Sequence, residues 1–236
     1  MKDVMRRLLR DISSVLIVAG LLLLLDGAIT LLWQEPVTAA IGLIRSDDAS
    51  RQYLSYETAP LTTGQRHTVS GLRSSQARIA FLARADLARV HNGDAIGQID
   101  IPRMSHTTYN FVQGTDTADL QEGPGHYPAT GLPGMGQTVG IAGHRTTYLA
   151  PFRFLNHVRR GDHIIVTMPY GVFTYRVQRQ QVVLPTDVSV VNDVGYERLV
   201  LSACDPIYSA THRLIVYARL ASVTPQGPAL AHTGNR

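Results

Sequence analysis

Cys204 is the single cysteine of the 236-residue chain, and it stands between two apolar runs with the β-branched character of strands, Arg198 to Ala203 and Arg213 to Ala218. If the two runs are antiparallel neighbours, the end of one lies beside the start of the next, and Cys204 shares a rim with Arg213. A third apolar run, Thr138 to Ala142, is closed by Gly143-His144. A thiol, an imidazole and a guanidinium meeting at strand ends would form a nucleophilic set. The thiolate is the attacking species, and an unassisted thiol at neutral pH is mostly protonated. A neighbouring imidazolium or guanidinium stabilises the thiolate, and the imidazole can carry a proton to a leaving amine and from an incoming nucleophile. Arginine stays charged and donates from a planar fork, which suits an oxyanion or a substrate backbone. Residue types alone leave a second reading open. A lone cysteine can also be inert and buried or form an intermolecular link. With 9 histidines in the chain, one at a strand end is uninformative by itself, and Arg213 reads equally well as an edge charge.

The elements that must position these residues begin after a membrane segment. Ile12 to Trp33 is apolar with few interruptions and long enough to cross a bilayer as a helix, for which about 20 residues are needed. Lys2, Arg6, Arg7 and Arg10 precede it, so the positive-inside rule puts the N-terminus in the cytoplasm and the remainder outside the cell. Trp33 sits where an interfacial aromatic belongs. The alternative is a removed signal peptide cut near Thr38-Ala39-Ala40, which the length of the apolar run disfavours. The net charge of +4 comes with no basic run, so nucleic acid is not an expected partner.

The expected organisation is a basic cytoplasmic segment (1–11), a single-pass anchor (12–33), a juxtamembrane linker (34–92), a β domain (93–222) and a tail (223–236). Within the linker, the spacing of Ile79, Leu82, Leu87 and Val90 predicts an amphipathic helix over 76–91, capped by Ser74 or Ser75. Strand signals follow at Ile99–Pro102, Tyr109–Val112, Thr138–Ala142, His163–Thr167 and Val172–Val177, with Gln181–Leu184 either extending or following the last. The Gly/Pro-rich stretch from Gly123 to Gly136 reads as a loop, and Arg145–Val158 as one or two short helices. Many short strands with few helices predict a closed β-barrel or a sandwich.

At its candidate chemical residues the chain resembles the sortases, specifically the class E group of actinobacteria. The resemblance covers about Gly97 to Leu220. It is carried by Gly114-Thr115-Asp116-Thr117-Ala118-Asp119-Leu120 with Gly123 to Pro128, by Ile141 to Tyr148, and by Leu199 to Pro206 with Tyr208-Ser209-Ala210 and Arg213 to Val216. It implies an eight-stranded sortase-type β-barrel and a cysteine transpeptidase. Cys204 would attack a C-terminal sorting signal after its threonine to give a thioester, which a cell-wall amine resolves, joining a surface protein to peptidoglycan. His144 would be the acid/base and Arg213 the oxyanion or positioning residue. Neither a cofactor nor a metal is implied. Class E enzymes prefer Leu-Ala-x-Thr-Gly signals, and Tyr127 sits in a segment associated with that preference. Many sortases carry threonine where this chain has Ala203, which puts the substrate contacts at that position in doubt. No Asp-Pro-aromatic lid of the pilus-building enzymes precedes the barrel. The chain's own Leu230-Ala231-His232-Thr233-Gly234 repeats the signal pattern, as a chance match or as a pseudo-substrate. A non-catalytic membrane-tethered barrel and a cysteine hydrolase without transfer are the alternative functions.

Overall fold

Eight strands close on themselves in the computed structural model, which describes residues 2–32, 36–105 and 107–230. They are β1 (Ala95–Asp100), β2 (Tyr109–Gln113), β3 (Gly125–His126), β4 (Thr138–Ala142), β5 (His163–Met168), β6 (Gly171–Val183), β7 (Arg198–Asp205) and β8 (His212–Pro225). Around the barrel they run β1-β2-β3-β4-β7-β8-β6-β5. Closure leaves no free sheet edge to template aggregation. Pairing is antiparallel except between β2 and β3 and between β4 and β7, which are parallel. The eight-stranded barrel anticipated from the sequence is the architecture found. Trp33 and most of the C-terminal signal-like pattern, Ala231 to Gly234, lie outside the described residues.

Two local expectations are corrected. The stretch read wholly as loop contains β3, which bridges Val112 and Gln113 of β2 to Ile141 and Ala142 of β4. Two residues are too few to show a period-two pattern, and the strand depends on a glycine: a Cβ on Gly125 would lie 2.2 Å from the carbonyl oxygen of Gly114. The segment 145–158 holds only a 3-10 turn, Leu155–His157. Tyr148, Leu149 and Ala150 all have positive φ, a left-handed run that no right-handed helix can contain.

Alternation sorts the strand residues. Val139, Ile141, Phe173, Leu199, Leu201, Leu214 and Val216 pack inside the barrel, while Val183, Val200, Ile215 and Tyr217 form a second apolar layer on its outer face. Helix α4 (Ser75–Leu87) is capped by the Ser74 hydroxyl, which accepts from the Ala77 N–H, and it adds Ile79, Leu82 and Ala83 to the inner core. Before it come α1 (Lys2–Leu32), α2 (Pro36–Glu57) and α3 (Thr63–Gly71), so helices occupy much of the stretch read as a linker. α3 starts with a reciprocal cap between Thr62 and Gln65. α1 contains an apolar window, Val4–Ile29, long enough to cross a membrane.

Glu197 secures the loop that precedes β4. Its buried carboxylate accepts from the N–H groups of Gly134 and Gly136 and from the Tyr175 hydroxyl, and burial pushes its pKa up.

Gly97 is the tightest point where β1 crosses the core, since a Cβ there would lie 2.4 Å from the Phe111 ring and 2.7 Å from the Met168 sulfur. Gly97→Val is expected to destabilise the barrel by about 1–3 kcal/mol, the usual cost of overpacking. A thermal unfolding midpoint equal to that of the parent chain would contradict this packing.

Candidate active site

Strand direction brings the candidate residues together. β4 and β7 are parallel and in register from Thr138↔Arg198 to Ala142↔Ser202, and the Gly143 N–H extends the ladder to the Ser202 carbonyl at 3.0 Å. Chains that leave two parallel neighbours in register continue side by side, so His144 and Cys204 follow at the same offset. β7 and β8 are antiparallel, with Cys204 opposite Arg213. His144, Cys204 and Arg213 therefore occupy one rim of the barrel.

The same alternation decides which face they use. Leu199, Leu201 and Ala203 point into the core, as does Leu214 across from Ala203. Ser202, Cys204 and Arg213 thus fall on the outer face with Val200, Ile215 and Tyr217, whose apolar layer floors the region below the rim. Tyr127 covers the outer face of β4: a Cβ on Gly140 would lie 2.8 Å from its Cδ2. Ala203 is not brought to this surface. It is 3% exposed and belongs to the inner core.

The electrostatics are uneven. His144 is half-buried, its Nε2 has no hydrogen-bond partner among the described residues, and burial lowers its pKa. Its ring lies against Tyr148, with centroids 5.5 Å apart. Cys204 is partly exposed and unpaired. Arg213 donates from Nη1 to the carbonyls of Ala210 and His212, each at 3.0 Å, which ties the start of β8 to the loop that links it to β7. That loop contains a cis Asp205–Pro206 bond. Among the described residues no three His, Cys, Asp or Glu side chains converge as metal ligands do.

Sequence reasoning gave Arg145 no part, yet it ties the rim together. Its side chain is 6% exposed and donates to the Cys204 carbonyl at 3.1 Å, the Asp205 carboxylate at 2.8 Å and the Asn156 side chain at 2.8 Å. A signal was present. Arg145 and Asp205 stand one residue beyond His144 and Cys204, so opposite charges occupy matching offsets past two apolar strands. The other end of the β4–β7 ladder is held in the same manner. Arg198 donates to the Thr138 hydroxyl at 3.1 Å and to the carbonyls of Val190 and Asn192.

Comparison with known proteins bears on the family and the fold. A family model described as the sortase domain matches residues 99–221. Sortase D of Bacillus subtilis (strain 168) is 31% identical over 131 residues, which cover 54% of this chain and 64% of that protein, so the match spans less than two thirds of the relative. The structure of sortase E from Streptomyces avermitilis superimposes with a TM-score of 0.53 at 34% identity, covering 60% of this chain and 99% of that one. A Clostridium perfringens sortase D5 transpeptidase gives a TM-score of 0.54 at 26% identity, covering 60% and 88%.

The buried imidazole has a consequence for stability. A histidine whose pKa is depressed by folding contributes stability that is complete above its unfolded value, near 6.5, and that is lost as the pH falls below it. His126, buried with its pKa lowered to about 4, adds to the same trend. Lowering the pH from about 7 to 5 should therefore reduce the thermal midpoint of the parent chain more than that of His144→Gln. Equal losses would mean that His144 is not desolvated in the folded state.

Proposed function

The chain belongs to the sortase family, and on that premise we propose that it is a membrane-anchored cysteine transpeptidase in which Cys204 is the nucleophile, His144 the acid/base and Arg213 the oxyanion-stabilising or substrate-positioning residue. The observation that carries the proposal is the paired register of β4 with β7 and of β7 with β8, which delivers a thiol, an imidazole and a guanidinium to one rim.

In the proposed reaction the Cys204 thiolate attacks the carbonyl carbon of the threonine in a sorting signal. Negative charge develops on the carbonyl oxygen, where a guanidinium stabilises it without a change of protonation. The C–N bond then breaks, and the departing amine takes its proton from the His144 imidazolium, leaving a thioester on Cys204. An acceptor amine attacks the thioester, gives its proton back to His144 and expels the thiolate. Burial of His144 disfavours the imidazolium. Desolvation therefore opposes the imidazolium half of the thiolate–imidazolium pair that the reaction needs.

Tyr127, lying over Gly140 beside the rim, is the proposed specificity contact for a Leu-Ala-x-Thr-Gly signal of the class E type. The natural partners would be surface proteins bearing such a signal and a peptidoglycan precursor amine. In the proposed topology residues 1–11 are cytoplasmic, 12–33 cross the membrane, and the barrel domain of 93–222 lies outside the cell.

Incubated with a Leu-Ala-x-Thr-Gly peptide and an amine acceptor, the enzyme is expected to yield ligated product, and Cys204→Ala none. His144→Ala should lower kcat by about 10²–10⁴, the range for loss of a general acid/base. Arg213→Ala should lower it by about 10²–10³, the range for loss of an oxyanion donor. Cleavage without ligation would identify a hydrolase. Ligation that survives Cys204→Ala would remove the nucleophile from the scheme.

A further inference from the structure

Helix α2 is built from two unlike parts. Its second half is fastened to the barrel: Ala49 and Tyr53, 2% and 3% exposed, pack on Ala95 and Val112. The Gln52 side-chain oxygen accepts from the Ala95 N–H at 2.9 Å, and the Tyr56 hydroxyl donates to buried Asp86 at 2.6 Å. This half also carries Arg45, Asp47, Asp48, Arg51 and Glu57. The first half, Val37 to Ile44, carries no charged residue. Val37, Leu43 and Ile44 are 62%, 63% and 68% exposed, and Ile41 is 39% exposed. Such a concentration of exposed aliphatic surface marks an interaction site.

Position in the chain identifies what the site meets. α1 ends at Leu32 and α2 begins at Pro36. The intervening residues can extend no further than about 14 Å, so exposed Val37 starts close to the end of the apolar window of α1. The patch is also continuous with the rim. A Cβ on Gly42 would lie 3.0 Å from the backbone of Tyr148, and Leu43 lines a groove together with Leu149, Pro151 and Phe154. We propose that Val37 to Ile44, with Phe154 beside them, seat in the headgroup layer of the membrane, so that the loop carrying His144 lies at the lipid surface. An uncharged aliphatic helix segment that begins within a few residues of a membrane span matches the chemistry of that layer, and Arg45 marks where water begins. The inference rests on α1 being the membrane anchor.

The test uses the full chain in phospholipid nanodiscs, in a Cys204→Ala background so that an introduced cysteine is the only thiol. Leu23→Cys, Ile44→Cys and Leu54→Cys are labelled separately with an environment-sensitive fluorophore and exposed to nitroxide-bearing lipids or to aqueous iodide. Leu54, 60% exposed in the charged half of α2, is the water-facing reference. Shallow lipid nitroxides are expected to quench the label at 44 several-fold more than that at 54, and iodide to quench it less. Equal behaviour at 44 and 54 overturns the proposal. Shielding of 44 from both quenchers also overturns it, because the patch is then covered by protein. If the label at 23 resists deep lipid nitroxides, the anchor reading fails and the proposal falls with it, an outcome distinct from failure at 44 alone.

Discussion

The parallel ladder between β4 and β7 is the constraint on which the rest depends. Parallel neighbours cannot be joined by a hairpin and need a long crossover, and here that crossover contains the rim loop after β4 and the β5–β6 hairpin. Because the two strands run the same way, the chain leaves both at the same rim. Register matters as much as direction. A slip of one residue would turn Cys204 from the outer face into the core and bring Ala203 out. The ladder resists that slip by burying Val139, Ile141, Leu199 and Leu201 on its inner face, and each of its ends is held by a guanidinium, Arg198 at the start and Arg145 at the finish.

Arg145 also shapes the electrostatics of the rim. A free carboxylate next to Cys204 would oppose formation of a thiolate. Asp205 is instead paired with a guanidinium that simultaneously holds the Cys204 carbonyl. His144 receives the opposite treatment: burial with no hydrogen-bond partner at Nε2 disfavours its charge. The rim therefore tolerates charge on the strand side and resists it on the loop side.

The helices before the barrel lead from the apolar α1 helix to the rim. α2 is held along its second half by Tyr53, Tyr56 and Gln52, and Gly42 in its first half touches the left-handed segment Tyr148–Ala150 that follows His144. A Cβ at Gly42 would crowd that backbone at 3.0 Å, and the contact joins an element near the apolar α1 helix to the loop carrying the imidazole.

Sequence by itself determined the strands whose apolar pattern is long enough to read: β4, β5, the first half of β6, β7 and the first half of β8 stand where alternation and β-branched residues put them. It marked the termini of β4, β7 and β8 as carriers of chemistry, because reactive side chains there interrupt apolar runs. It could not show that β4 and β7 are neighbours, since 138–142 and 198–205 are far apart in the chain and nothing local distinguishes a parallel partner from any other strand. It could not find β3, which is too short for a period, nor the left-handed run after His144, which tertiary contacts impose on residues with no preference for it. It also missed the docking of α2, because a helix that is apolar along its first half and polar along its second shows no 3.6-residue period. Which face Cys204 and Arg213 share, and that Arg145 binds Asp205 beneath them, were decided only when closure of the barrel set every register at once.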